Sequence, residues 1–287
     1  MTLSKPIVSW LYVSPLMLVL IPFFVLPILV VLVASVFETD GFGGLIPTFT
    51  LVNYVNLLTS GLTFNLYFET VKFTVLTWFF TLILGFFVAY FLVFHVRNQL
   101  LAIGLFLVCT VPFWTSNIIR MISWIPLLGK EGLINSALLA LGVIHEPLGF
   151  LLYSSFAVVV AYVHQLTIFM VVPIFNSMAR IDKRVVEAAF DVGASRFDIM
   201  RLIIVPLSKS GIALGSIFVV SIVMGDFFVT KVMSGGGSAS VVGAFYEDIS
   251  VLQYPSAAAS AIVLTLVLMA TIALILRTVD IRKEITR

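Results

Sequence analysis

Charge is what this sequence has least of. Lys and Arg number 16 and Asp and Glu 14 among 287 residues, so 10% of positions are charged, against roughly 25% in a soluble domain. That scarcity excludes a water-soluble globule, and a formal net charge of +2 leaves no basic surface for nucleic acid. The single cysteine, Cys109, excludes an intrachain disulfide and any CxxC metal or redox motif. It reads as a small buried apolar residue. His95, His145 and His164 fall on separate elements without HExxH spacing, which argues against a metal site and an intramembrane enzyme. The phosphate-binding pattern G-x4-G-K-[ST] is missing too: Gly129-Lys130 is followed by Glu131, and Trp124 stands where the first glycine belongs. No low-complexity linker, internal repeat or second soluble domain interrupts the chain.

What is present is hydrocarbon, with 61% of residues hydrophobic. A bilayer core needs about 20 mainly apolar residues per helical span. Six runs meet that length: 10–37, 70–94, 100–119, 151–176, 207–230 and 257–277. They are apolar throughout, not alternating, so helices fit and a transmembrane barrel does not. The first run is too long for a signal-peptide core and has no small-x-small cleavage site, so it reads as a retained span. The expected fold is an all-α polytopic membrane protein of six transmembrane helices.

Six spans put both termini on one side and split the loops into two sets. The set with the N-terminus, which includes Lys5, Arg97, Arg184, Arg282, Lys283 and Arg287, holds 12 of the 16 basic residues. The positive-inside rule makes that side, and both termini, cytoplasmic. On the other side, residues 38–69 carry a GFGG turn, and 120–150 carry LINSALLALGVI, an apolar piece too short to span.

One polar stretch stands out on the cytoplasmic side, EAAFDVGASRFDIMRLIIVP at 187–206. Asp182 is placed to cap a helix from Lys183, and Gly193 to end it in the left-handed conformation. Ser195 is placed to cap a second helix, with Asp198 completing a partial capping box. Pro206 suits a first helical turn, and the fifth span is expected to begin there. Ala188 and Ala189 leave one face bare, flanked by Arg184 and Glu187. Two readings fit: a knob that docks into another protein, or an amphipathic linker resting on anionic lipid.

The order Glu187-Ala188-Ala189, three residues, Gly193, nine residues, Ile203, one residue, Val205-Pro206 resembles the EAA loop of ABC importer permease subunits, E-A-A-x3-G-x9-I-x-L-P, with Val205 replacing leucine. Residues 111–144 and 225–236 are similar to the spermidine/putrescine-type group within that family. They carry Pro-Phe-Trp-x-Ser with a later Arg and Trp, Gly-Leu-x-Asn, and Gly-Asp-Phe before a glycine pair. Lys231 stands near a usual proline of that group. The resemblance covers most of 67–277.

It implies a non-catalytic permease subunit in a bacterial inner membrane, with Glu187, Ala188, Ala189, Gly193, Ile203 and Pro206 coupling it to a separate ATPase. The chain would bind no cofactor, ATP and magnesium being used by that partner. Implied partners are two ATP-binding cassette subunits, a second permease subunit, a periplasmic or lipid-anchored solute-binding protein and membrane lipid. The implied solute is small and polyamine-like, such as spermidine or putrescine; related permeases carry opines, phosphonates, amino-acid derivatives or ferric ion. The rival class, an ion-driven secondary transporter, would show discontinuous helices and midplane ion ligands, and neither is evident.

The remaining polar residues give candidates for the pathway or gate. Arg120 lies about 20 residues, and Asp226 about 19, from the cytoplasmic ends of their spans, which places both about 30 Å up at the outer mouth. Glu69, Lys72 and Lys231 join them there, as a gate or a receiving surface for a solute-binding protein, or as interfacial anchors that snorkel and pair with one another. Trp114 and Trp124 line that mouth or form an interface belt. His164 and Gln165, mid-span, either hydrogen-bond across helices or line the pathway. The expected organisation is an N-terminal span and outer loop over 1–66, a permease core over 67–277 with coupling helices at about 182–206, and a cytoplasmic tail over 278–287.

Overall fold

A computed structural model describes residues 5–96, 98–237 and 239–278. Arg97, Arg282, Lys283 and Arg287, and the expected tail from residue 279, lie outside them.

Lipid offers no partner to backbone N–H and C=O groups, so a chain this apolar folds into helices, which satisfy those groups internally. In order they are α1 (Lys5–Leu20), α2 (Leu26–Ala34), α3 (Val52–Thr59), α4 (Gly61–Tyr90), α5 (Gln99–Thr110), α6 (Asn117–Ile122), α7 (Trp124–Leu128), α8 (Leu133–Ala140), α9 (Ser155–Met178), α10 (Lys183–Asp191), α11 (Arg196–Ile199), α12 (Val205–Leu207), α13 (Lys209–Gly225), α14 (Phe228–Met233), α15 (Val241–Ser250) and α16 (Tyr254–Leu276). The described strands are β1 (Glu38–Thr39) and β2 (Leu45–Ile46), an antiparallel pair closed by the GFGG turn. There the Asp40 carboxylate accepts the N–H groups of Phe42 and Gly44, each at 2.8 Å.

Four stretches are long and apolar enough to cross a membrane: Val13–Ala34, Gly61–His95, Ser155–Met178 and Tyr254–Leu276. A fifth arises if Arg196–Leu207 and Lys209–Gly225, which meet at 68°, count as one. The run at 100–119 forms a helix that stops at Thr110, followed by a tight turn at Val111–Trp114. At 12 residues that helix is about 18 Å long. Pro112 explains the stop, because it has no N–H to continue the ladder. The described structure is an all-α, multi-span membrane protein with four or five long apolar helices.

The described helices compact into two units, residues 5–64 with 244–266, and 65–243 with 267–278. In the first, Pro22 and Pro27 deprive the helical backbone of donors, and it widens to a π turn over Ile21–Val25, which contains Pro22.

In the second, α13 packs along α9 and α4 joins them. Two apolar helices gain nothing hydrophobic by pairing in lipid, so close packing and interhelical hydrogen bonds hold them. Met170 of α9 is fully buried where the three meet. A Cβ on Gly85 of α4 would lie 2.7 Å from Met170 Cγ, and one on Gly215 of α13 would lie 2.6 Å from Met170 Sδ. Nearby, Trp78 Nε1 donates to Ser216 Oγ at 2.8 Å, and the Ser177 and Ser210 hydroxyls meet at 3.2 Å. Over the same unit, the fully buried Asn135 of α8 donates to the Gly129 carbonyl at 2.9 Å and accepts from Leu148 N–H at 2.8 Å. The apolar piece at 133–144 is therefore a short helix stapled to its own connecting loops.

The Gly85 contact leads to a first prediction. Gly85→Val should destabilise the protein by about 1–3 kcal/mol through overpacking, read as a lower melting temperature in detergent. Met170→Ala in the same chain should restore part of the loss. An unchanged melting temperature for Gly85→Val would contradict the close packing.

Candidate functional site

Residues 182–208 form the segment with the most polar punctuation. The Asp182 carboxylate accepts Arg184 N–H at 2.9 Å and starts α10. Val186 and Ala189 face the packed core, while Glu187 and Ala188 are exposed. The helix ends in a Schellman pair: Gly193 N–H donates to the Phe190 carbonyl at 2.9 Å, and Ala194 N–H to the Ala189 carbonyl at 3.0 Å. Gly193 has φ +86, the left-handed region, and nothing surrounds its missing Cβ. Ser195 and Asp198 form a complete capping box for α11.

Beyond α11 the chain departs from the expected continuous entry into a span. A π turn covers Met200–Ile204, with Ile203 half-buried and Ile204 buried, and Pro206 is exposed in the short α12. The break comes two residues later. Ser208 is fully buried, has φ −99 and ψ 9, and its hydroxyl donates to the Ile204 carbonyl at 2.6 Å. The long helix therefore begins at Lys209 and not at Pro206. Proline cannot donate to the carbonyl four residues back, so the widened turn before it and the bend after it absorb the loss.

The segment's outer side is apolar as well as charged. Val192 is 86% and Phe197 62% exposed, with Val185 and Phe190 open beside them. Between α10, α11 and the π turn Phe91–His95 that ends α4 lies a cleft of about 430 Å³, reached by Tyr90, His95, Lys183, Glu187 and Arg196. The arrangement presents a capped helix–turn–helix with bare Ala188 and Gly193 surfaces.

A second feature is a cavity of about 680 Å³ along one side of α9, walled by α4, α5 and α7. Phe80, Leu84, Phe156 and Val163 make it apolar, Cys109 borders it, and Trp124, His164 and Gln165 bring its polar edges. Trp124 Nε1 donates to His164 Nδ1 at 3.4 Å, with the rings edge to face. His164 thus bonds across helices and lines the cavity at once. Gln165, 7% exposed, lines the same space.

The outer-mouth candidates do not form one cluster. Arg120, 7% exposed, folds back so that Nη2 donates to the Thr115 carbonyl at 2.8 Å and Nε to Thr115 Oγ1 at 3.3 Å. Asp226 accepts from Tyr162 Oη at 3.0 Å and from Val229 N–H at 2.9 Å, which ties the end of α13 to α14 and α9. Tyr162 Oη also meets Thr230 Oγ1 at 3.1 Å. Trp114 is 84% exposed, away from the cavity lining. Lys72 pairs with Glu69 at 2.5 Å, as expected of mutually paired anchors. Sequence reasoning did not find Tyr162. The available signal was on Asp226, an acidic residue just ahead of a short helix, where carboxylates cap.

Residues 81–282 match the family model described as "Binding-protein-dependent transport system inner membrane component". The chain is 33% identical over 251 residues to the spermidine/putrescine transport system permease protein PotB of Escherichia coli (strain K12), covering 87% of this chain and 90% of that one. It is 31% identical over 224 residues to the PotB protein of Haemophilus influenzae, covering 78% and 77%. In fold it is similar to a chain from the crystal structure of a bacterial alginate ABC transporter in complex with alginate pentasaccharide-bound periplasmic protein. The TM-score is 0.72 at 13% identity, over 93% of this chain and 92% of that one.

The Asp226 network gives the second prediction. Tyr162→Phe should cost about 0.6–1.7 kcal/mol, and Asp226→Ala more, because two donors lose their acceptor. Asp226→Asn should retain most of the stability. Thermal unfolding in detergent reads the series, and full stability of Asp226→Ala with lost uptake would move the carboxylate from a structural to a transport role.

Proposed function

The chain belongs to the binding-protein-dependent transport system inner membrane component family, and from that premise we propose how it couples and what it carries. It is a non-catalytic permease subunit of an ABC importer, a polytopic inner-membrane protein serving a small solute delivered by a periplasmic binding protein. ATP and magnesium belong to the separate ATPase.

Beyond that, the proposed architecture is six spans with both termini cytoplasmic and residues 182–206 on the cytoplasmic face. The permease core is taken as 67–277, preceded by the 1–66 span and loop. The chain pairs with a second permease subunit, its own copy or a relative, and two ATP-binding cassette subunits. Glu187, Ala188, Gly193 and Pro206 form the coupling surface, while Ala189, expected to share the bare face, and Ile203 pack the segment onto the core behind it. The observation that carries this reading is the capped helix–turn–helix whose Ala188 and Gly193 surfaces stand open beside exposed apolar residues. An open, partly apolar patch is what a docking partner requires. The 68° bend at Ser208 then links the docked piece to α13.

The proposed solute is a polyamine such as spermidine or putrescine, supported by the 33% identity to PotB. The cavity beside α9 serves as pathway, with Trp124, His164 and Gln165 lining it and Trp114, Arg120 and Asp226 near its gate. A second reading, another small solute of the same group, is favoured by one observation. There is no carboxylate among the described lining residues, so ammonium groups would find only neutral partners there, aromatic faces and the Gln165 and Thr167 side chains.

Two experiments test these assignments in the assembled transporter. Glu187→Lys and Gly193→Val should abolish uptake and stimulated ATP hydrolysis while membrane insertion persists; normal transport by both would remove the coupling role. Uptake of labelled spermidine should fall at least tenfold with Trp124→Ala. Spermidine uptake absent from the native transporter, with another solute carried, would select the second reading.

A further inference from the structure

Thr74, Thr81 and Ser216, buried in the unit that holds α9, each donate to a carbonyl one turn back along their own helix, at 2.7, 2.8 and 2.7 Å. Gln165 differs. It is buried about 15 Å from the Ser155 end of α9, near the middle of the helix. Its amide has no hydrogen-bond partner among the described residues. The Thr77 hydroxyl also lacks a partner, but it is sealed in the packing, whereas Gln165 borders the cavity beside α9. An unpaired amide at mid-span is costly unless a partner reaches it. The cavity is the side from which one can arrive.

Along the cavity face of α9, Phe156, Val160, Val163, Thr167 and Val171 recur every three or four residues, and of these five only Thr167 is polar. Its hydroxyl proton goes to the Val163 carbonyl at 2.5 Å, so toward the cavity its oxygen can only accept. His164 has its Nδ1 lone pair occupied by Trp124 Nε1–H, so its neutral ring carries the proton on Nε2 and adds no acceptor. The acceptors left to an occupant are therefore Gln165 Oε1 and Thr167 Oγ1. The cavity, about 680 Å³, is walled by α4, α5, α7 and α9 of one unit. That is the volume and concavity of a small-molecule site, too enclosed for a neighbouring helix about 10–12 Å across.

We infer that Gln165 and Thr167 determine specificity along the pathway, as two neutral acceptors that take N–H groups from the solute's ammonium in transit. The inference rests on the polyamine reading above. Apolar walls between the acceptors suit the methylene spacers of such a solute. Neutral acceptors suit a pathway, because a carboxylate would hold a cation that has to leave again.

The test measures uptake of labelled spermidine by the assembled transporter in proteoliposomes with its binding protein. The binding protein captures the solute before the permease meets it, so the variants should act on maximal uptake and leave KM in place. Gln165→Met and Thr167→Val should each lower maximal uptake about fivefold or more, and Thr167→Ser, which keeps the acceptor, should retain about half of it. Native-like maximal uptake by either of the first two overturns the inference and leaves the polyamine reading standing. So does a loss in Thr167→Ser as deep as in Thr167→Val, which would make the role one of shape. A Gln165→Met chain that no longer copurifies with the second permease subunit also overturns it, because the amide then belongs to a subunit interface. A native transporter that carries no spermidine overturns the polyamine reading itself, and the ammonium assignment with it.

Discussion

A peptide group that leaves a helix inside hydrocarbon has no water to turn to, and the layout of this chain follows from that constraint. Its long apolar stretches are helical, and the places where helices end are the places where side chains have been supplied to take over. Asp182, Gly193 and Ser195 close three consecutive helix ends within the segment 182–198. Asp226 closes another, and Asn135 satisfies the loops around α8. Polar residues are scarce, and many of those present serve backbone groups.

Between those ends, association depends on shape. Met170 lies against Gly85 and Gly215, so α4, α9 and α13 approach closely at one point. Close-packed cores respond to force by moving as units, because packed side chains have few intermediate arrangements. In the proposed mechanism, the bend at Ser208 joins the docking segment to α13, and α13 lies along α9 beside the cavity. A push on the segment would then reach the cavity wall through contacts already present.

The sequence was most legible where local chemistry decides the outcome. Asp182, Gly193, Ser195 and Asp198 could each be read from neighbours within four residues, and the described backbone has the caps they suggested. The long apolar helices were legible from composition. The bend two residues past Pro206 was not, since it depends on the Ser208 hydroxyl meeting Ile204 in a buried setting. Nor was the early stop of α5, where an apolar run looks the same whether straight or broken at Pro112. The partnership of Tyr162 with Asp226 joins residues 64 apart, and hydropathy has no term for such a pairing. His164 has the cross-helix bond that one reading expected, to Trp124, and it also borders the apolar cavity.

The central claim is that residues 182–206 meet an ATPase. It is tested most directly by crosslinking Ala188→Cys, in a Cys109→Ala background, to the co-expressed ATP-binding subunit in native membranes, with Ile249→Cys as the exposed control. A crosslink at 188 that changes in yield with ATP, and none at 249, is the expected result. A residue 188 that reacts freely with a water-soluble maleimide in the assembled transporter, without any crosslink to the ATPase, would contradict the account.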